Sequence, residues 1–213
     1  MRRILLILTI CFAFYSCDSD DYFKDGGISE EHVGMGTFDF LQSHEQLDTL
    51  AILIERAGLR DALNDQHTLF APNNLSIKNY VNRVLTEMRL IDPQAEFTIN
   101  DIPADTLEKH MGGYIFPVEI TRDDLSAEGE IFTALNGEER RISLEPVQEY
   151  TVELGFFPEY VFYTYQDGDS WDPWDQLDDD TKIRVRTSNL ISTSGVIHVL
   201  QGEHVLFNYE TTQ

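Results

Sequence analysis

Two short stretches decide how this chain folds: Thr68-Leu69-Phe70-Ala71-Pro72-Asn73-Asn74 and Ser194-Gly195-Val196-Ile197-His198-Val199-Leu200. Each centres on a brief apolar run of strand-favouring residues. In the first, Pro72 stops the strand, since proline pushes the preceding residue into extended backbone and cannot continue a ladder. Such short runs carry few polar side chains, so Phe70 and Ile197 are expected to be buried. Working outward from Thr68, the preceding pattern is helical. Thr37 is a plausible N-cap for a short helix through Phe38-Asp39-Phe40-Leu41. Leu47, Leu50, Ala51, Ile54 and Ala57 then recur at the spacing of one buried helical face, and Gly58 follows where a left-handed terminating residue is expected. After Asn74 the spacing predicts a helix over Leu75 to Leu90, with Ile77, Val81, Val84, Leu85 and Met88 inward. Pro93 and Pro103 bound a connection, and Leu107 to His110 reads as one more helical turn.

Beyond Tyr114 the periodicity changes to that of strands, through Ile131–Leu135, Arg141–Leu144, Tyr150–Leu154, Tyr160–Tyr165, Lys182–Arg186, Gly195–Leu200 and His204–Phe207. Asn136-Gly137 between two of these is a strong hairpin signal. Helices first and strands later, with no strand–helix alternation, predict an α+β domain with an antiparallel sheet system.

The quoted pieces, taken together, resemble the fasciclin domain family. Arg56-Ala57-Gly58-Leu59-Arg60-Asp61-Ala62-Leu63 matches the end of its amphipathic helix, and Thr68 to Asn74 its first signature strand. Thr133-Ala134-Leu135-Asn136-Gly137 matches its hairpin, and Ser194 to Leu200 its closing signature. The resemblance implies a wedge-shaped β-sandwich with helices packed on it over residues 36–208, and an extracellular adhesion role without catalysis. An aromatic–histidine pair linked to integrin binding in animal members would fall at Glu108-Lys109-His110. Lysine stands where the aromatic belongs, so that activity does not carry over. The distance between the hairpin and the closing signature is longer than the family's usual one, which predicts an insertion at about 146–180.

Composition sets the limits on function. The 213 residues carry 38 acidic against 15 basic side chains, a formal net charge of −23. Nucleic acid is excluded as a partner, because phosphate binding needs a basic surface. The N-terminus reads differently from the rest. Arg2 and Arg3 precede the apolar run Ile4–Tyr15, too short to span about 30 Å of hydrocarbon and of the length of a signal-peptide core. Ser16 and Cys17 follow, then Asp18-Ser19-Asp20-Asp21. This resembles a bacterial lipoprotein signal: residues 1–16 are removed and Cys17 becomes the lipidated first residue. Residues 17–35 would then form an acidic tether. The expected address is the outer membrane, at the cell surface or alternatively facing the periplasm. The partner is expected to be an envelope or extracellular protein or glycan, reached as an adhesion module or as a glycan-capturing accessory of an uptake complex.

Catalytic patterns are missing from the sequence. The six histidines form neither His-Glu-x-x-His nor a Cys/His set, and there is neither a Gly-x-Ser-x-Gly elbow nor a phosphate-binding glycine loop. An enzyme acting on polysaccharide remains a remote reading, since many acids always include some pair. His198 is expected to make a structural hydrogen bond. Seven aspartates lie between Asp167 and Asp180. Trp171 and Asp172 occupy the fifth and sixth places of an EF-hand reading that begins at Asp167, which excludes that loop. An irregular calcium site from Asp167, Asp169, Asp172 and Asp175 stays open, with no other cofactor expected. The same region is rich in aromatics. On the strand, Tyr160, Phe162 and Thr164 share one face, and Val161, Tyr163 and Tyr165 the other. Tyr163, Tyr165, Trp171 and Trp174 are the candidate ligand-binding residues, with at least one tryptophan expected at the surface.

Overall fold

A computed structural model describes residues 31–147 and 157–207. The expected leader, Cys17 and the start of the tether lie outside these residues, as does the strand read at Tyr150–Leu154. A two-residue strand, β1 (Glu31–His32), leads into α1 (Thr37–Ser43) and α2 (Asp48–Arg56). α1 begins one residue earlier than its expected cap: Gly36 takes the cap position, and Thr37 is buried with its hydroxyl 2.7 Å from that of Ser192. Leu50, Ala51, Leu53 and Ile54 form the buried face of α2. Gly58 ends this segment at φ +71°, a left-handed conformation that favours glycine. β2 (His67–Ala71) is buried along its whole length. α3 (Asn74–Ile91) is capped by the Asn73 side chain, which accepts from the Ser76 N–H. Its face departs from the expected one. Ile77 is buried, Val81, Val84 and Leu85 are half-buried, and Met88 is exposed, because the helix runs past the edge of the core. α4 (Ala104–Met111) packs on α2. Among the described residues no helix is long and apolar enough to cross a membrane.

The remaining strands are β3 (Ile115–Phe116), β4 (Glu130–Thr133), β5 (Glu139–Pro146), β6 (Glu159–Tyr165), β7 (Thr181–Ile191) and β8 (Gly195–Leu200). They join in the order β3-β2-β8-β7-β6-β5-β4. Most neighbours are antiparallel, but β2 and β8 pair in parallel, as do β1 and β7. The two signature strands are therefore direct partners. The long connection between them carries most of the domain, so it leaves the chain free to return in the same direction. β7 holds the two halves together. Its first residues pair with β6 and its later ones with β8, with register shifts between Val185 and Leu190 and Asn189 at φ 58°. The Asn189 side chain accepts from the Arg122 N–H. At the far ends, the Leu135 N–H donates to the Ile115 carbonyl at 2.7 Å, and the Phe116 and Phe132 rings approach to 6.5 Å. The sheet curls until its edges nearly meet, giving an α+β fold with a mostly antiparallel, almost closed sheet.

Within the expected insertion at about 146–180, β6 is a central strand joining β5 to β7. One expectation needs correction. His204–Phe207 is not a strand: it is a turn whose Leu206 and Phe207 are buried. The Phe207 N–H donates to the Tyr114 hydroxyl, which also lies 2.9 Å from His204 Nε2.

Phe70 and Ile197 are both fully buried. Phe70 stacks on His198 at 4.8 Å, meets Phe116 edge-on and contacts Tyr163. His198 accepts from the Asn189 N–H at Nδ1, so its Nε2 carries the proton and donates to the Ile120 carbonyl at 2.8 Å. Burial holds its pKa down at about 4, so the ring is neutral in the folded protein. Burial likewise brings His204 down to about 3.

Candidate functional site

Alternation along β5, β6 and β7 gives this half of the sheet two unlike faces. The inner face carries Ile142, Val161, Tyr163, Tyr165 and Ile183. The outer face carries Arg141, Ser143 and Glu145 from β5, Tyr160, Phe162 and Thr164 from β6, and Lys182 and Arg184 from β7. The registers set Arg141 opposite Thr164, Thr164 opposite Lys182 and Phe162 opposite Arg184.

Tyr163 and Tyr165 are therefore corrected as ligand-binding residues. Tyr163 is fully buried, accepts from Arg140 Nε and donates to the Gly113 carbonyl, each at 2.8 Å. Burial pushes its pKa up to about 12. Tyr165 is also buried, with the Arg140 guanidinium 5.8 Å from its ring centre. Alternation shows that two sets of side chains face apart but not which set is inside. Here the set containing Val161 goes in and the set containing Thr164 faces the covering loop.

Residues 166–180 fold over part of the outer face. Asp172 works as an acceptor inside this loop: its Oδ2 takes the N–H groups of Asp178, Asp179 and Asp180 at 2.7, 2.9 and 3.0 Å. These donors hold its carboxyl below the usual carboxylate range. Asp180, which is buried, accepts from the N–H groups of Asp167 and Asp172. Partial desolvation and repulsion from Asp172 and Asp178 raise the pKa of Asp179.

Two cations fasten the loop to the sheet. Arg141 donates to the Asp172 carbonyl, approaches Asp180 Oδ2 at 3.5 Å and lies 5.4 Å from the Trp171 ring centre. Lys182 donates to the Trp174 carbonyl at 2.7 Å and to Glu145 Oε2 at 2.9 Å. Glu145 also accepts from the Ser143 hydroxyl. Arg141, Asp180, Lys182 and Glu145 are each about nine-tenths buried or more at the side chain. Removing one partner from such a pair strands a charge away from water, so the strap is sensitive to the loss of any one of them.

The four aspartates expected to bind calcium do not converge. Asp167, Asp169 and Asp175 are exposed and apart, and Asp172 clusters with Asp179 and Asp180, their oxygens within 4.8 Å of one another. The oxygens of Asp172 and Asp180 in that cluster serve backbone N–H groups, and Arg141 supplies the positive charge beside Asp180. This arrangement staples a loop. Trp171 and Trp174 are both half-buried. Asp169 and Asp175 stand exposed close by in sequence. Asp180, Arg141, Lys182 and Glu145 were not singled out from the sequence. Their signal was the alternation of polar residues at 141, 143 and 145 and at 182 and 184, which marks an outer face without saying what covers it.

The fasciclin domain family matches this chain over residues 45–202. The chain belongs to that family, whose domains are associated with cell adhesion and are generally non-catalytic. A solved relative in fold is a FAS1 domain pair from the insect cell adhesion molecule fasciclin I, 18% identical, with a TM-score of 0.49 over 81% of this chain. This chain spans about half of that one, 51%. A search among curated proteins finds no match.

Proposed function

We propose that this chain is a bacterial lipoprotein of the fasciclin family that holds an extracellular or envelope partner non-covalently, as an adhesion module rather than an enzyme. Cys17 carries the lipid after removal of residues 1–16, and the acidic segment that follows directs the domain to the outer face of the outer membrane. The observation that supports the binding reading best is the pair Trp171 and Trp174, half-exposed on a loop fastened by Arg141 and Lys182. Aromatic anchors held in place before binding lose little entropy on contact, which is the usual character of interface hot spots. A protein partner fits the family's adhesion association. The exposed carboxylates of Asp169 and Asp175, close in sequence to the tryptophans, favour, as a second reading, a glycan whose hydroxyls they would accept from.

Intact cells displaying the full chain, cross-linked and affinity-purified, should capture a specific partner that the Trp171→Ala, Trp174→Ala form loses. Cys17→Ser should abolish fatty-acid labelling, and labelling that persists would remove the lipoprotein reading. Complete protection of the domain from protease added to intact cells would remove the surface address.

A further inference from the structure

A cleft of about 220 Å³ lies on the second half of β7, away from the strapped loop and between β1, α1 and β8. Its floor is made by the buried side chains of Leu47, Leu190 and Val199. Phe40 and His44 form one wall, with ring centres 5.4 Å apart. The Gln46 N–H donates to His44 Nδ1, so in the neutral ring Nε2 carries the proton. Arg186 is exposed at the rim, and among the described residues it has no ion-pair partner. On a chain with 38 acids, no aspartate or glutamate among the described residues lines this cleft.

Size, floor and charge point to one kind of ligand. A dry cavity of about 150 Å³ accommodates a benzene ring. The present volume leaves room for a ring plus a short acidic arm. The floor offers apolar contact, while Arg186 offers a planar fork of donors matched to a carboxylate. On a chain of net charge −23, a cleft with a guanidinium and, among the described residues, no acid in its lining is a favourable place for a small anion. We propose that this cleft binds a small arylalkanoate-type carboxylate, with the ring on Leu47, Leu190 and Val199 and the carboxylate at Arg186. The proposal is independent of the partner held by the tryptophan loop.

The test uses the full chain in lipid nanodiscs, with empty nanodiscs as the blank, and 3-phenylpropionate as the probe followed through the methyl resonances of Leu47, Leu190 and Val199. Saturable shifts are expected at those methyls. 3-Phenylpropionamide should bind about tenfold more weakly, as should the acid to Arg186→Gln, on the scale of one charge-assisted hydrogen-bonded pair. Arg186→Lys should fall between. Arg186 is exposed, so its replacement leaves the core intact, and unchanged methyl shifts of the unliganded variant check this. Absence of saturable shifts, or equal binding of acid and amide, overturns the proposal. Methyl resonances that ignore the acid but move on Tyr22→Ser, Phe23→Ser would give the cleft to the chain's own N-terminal segment, and overturn it as well.

Discussion

The two halves of β7 belong to regions stabilised in different ways. Its later residues lie beside β8 and β2, where Phe70, Ile197 and His198 pack without exposure. Its first residues lie under the aspartate loop, where Arg141, Lys182, Asp180 and Glu145 exchange hydrogen bonds and charge. One region excludes water by apolar packing. The other stays closed through a few polar contacts, each of which matters by itself. The comparison shows how a fold can keep a scaffold fixed while fastening a separate surface feature to it by local means.

The largest effect is expected in the packed region. Phe70→Ala removes a ring that touches Phe116, Tyr163 and His198, and should cost about 3–5 kcal/mol in urea unfolding. A loss below about 1 kcal/mol would break the comparison on its packed side. Next comes the strap. Asp180→Ala leaves the Arg141 guanidinium buried without its carboxylate and frees two backbone N–H groups, so a loss of about 3 kcal/mol is expected. Amide exchange should quicken in residues 166–180 while β2 and β8 stay protected. Uniform quickening would mean that the loop and the core are one unit. Trp171→Ala with Trp174→Ala should weaken partner capture by about 2 kcal/mol and leave unfolding nearly unchanged. A double variant that unfolds would make the rings structural.

The packed region also carries a dependence on pH. The folded pKa of His198, about 4, lies below the ordinary value of 6.5, so the unfolded chain binds a proton that the folded one refuses. Its stabilising contribution is full above the unfolded value and is lost as pH falls through the window from 6.5 to about 4. The slope is about 1.4 kcal/mol per pH unit for each such histidine. His204 adds a second contribution of the same sign. Urea unfolding between pH 7 and 5 should show the decline, and His204→Gln should reduce its slope. A stability that does not change over that range would mean that these rings are not buried as neutral groups.

What the sequence disclosed follows the same division. The signature strands, the face of α2, the stop at Gly58 and the burial of Phe70 and Ile197 were legible, because local periodicity and turn chemistry determine them. The parallel pairing of β2 with β8 was not, since nothing local records which strand a returning chain will meet. α3 was read as buried over more of its length than it is, because an apolar stripe does not say where the neighbouring core ends. In the candidate site, the tryptophans and the density of aspartates stood out, but their work did not. Asp172 and Asp180 serve backbone N–H groups and an arginine about forty residues away in sequence, and such contacts exist only after the sheet has formed.

Both tryptophans of the chain lie in the strapped loop, while the packed core is built from tyrosine and phenylalanine. Indole emission excited at the red edge of protein absorption is therefore a private signal of that loop. The Arg141 guanidinium, 5.4 Å from the Trp171 ring, makes the signal sensitive to whether the strap is closed. The protein thus reports optically, without a label, on the one region whose opening or occupation would alter its surface.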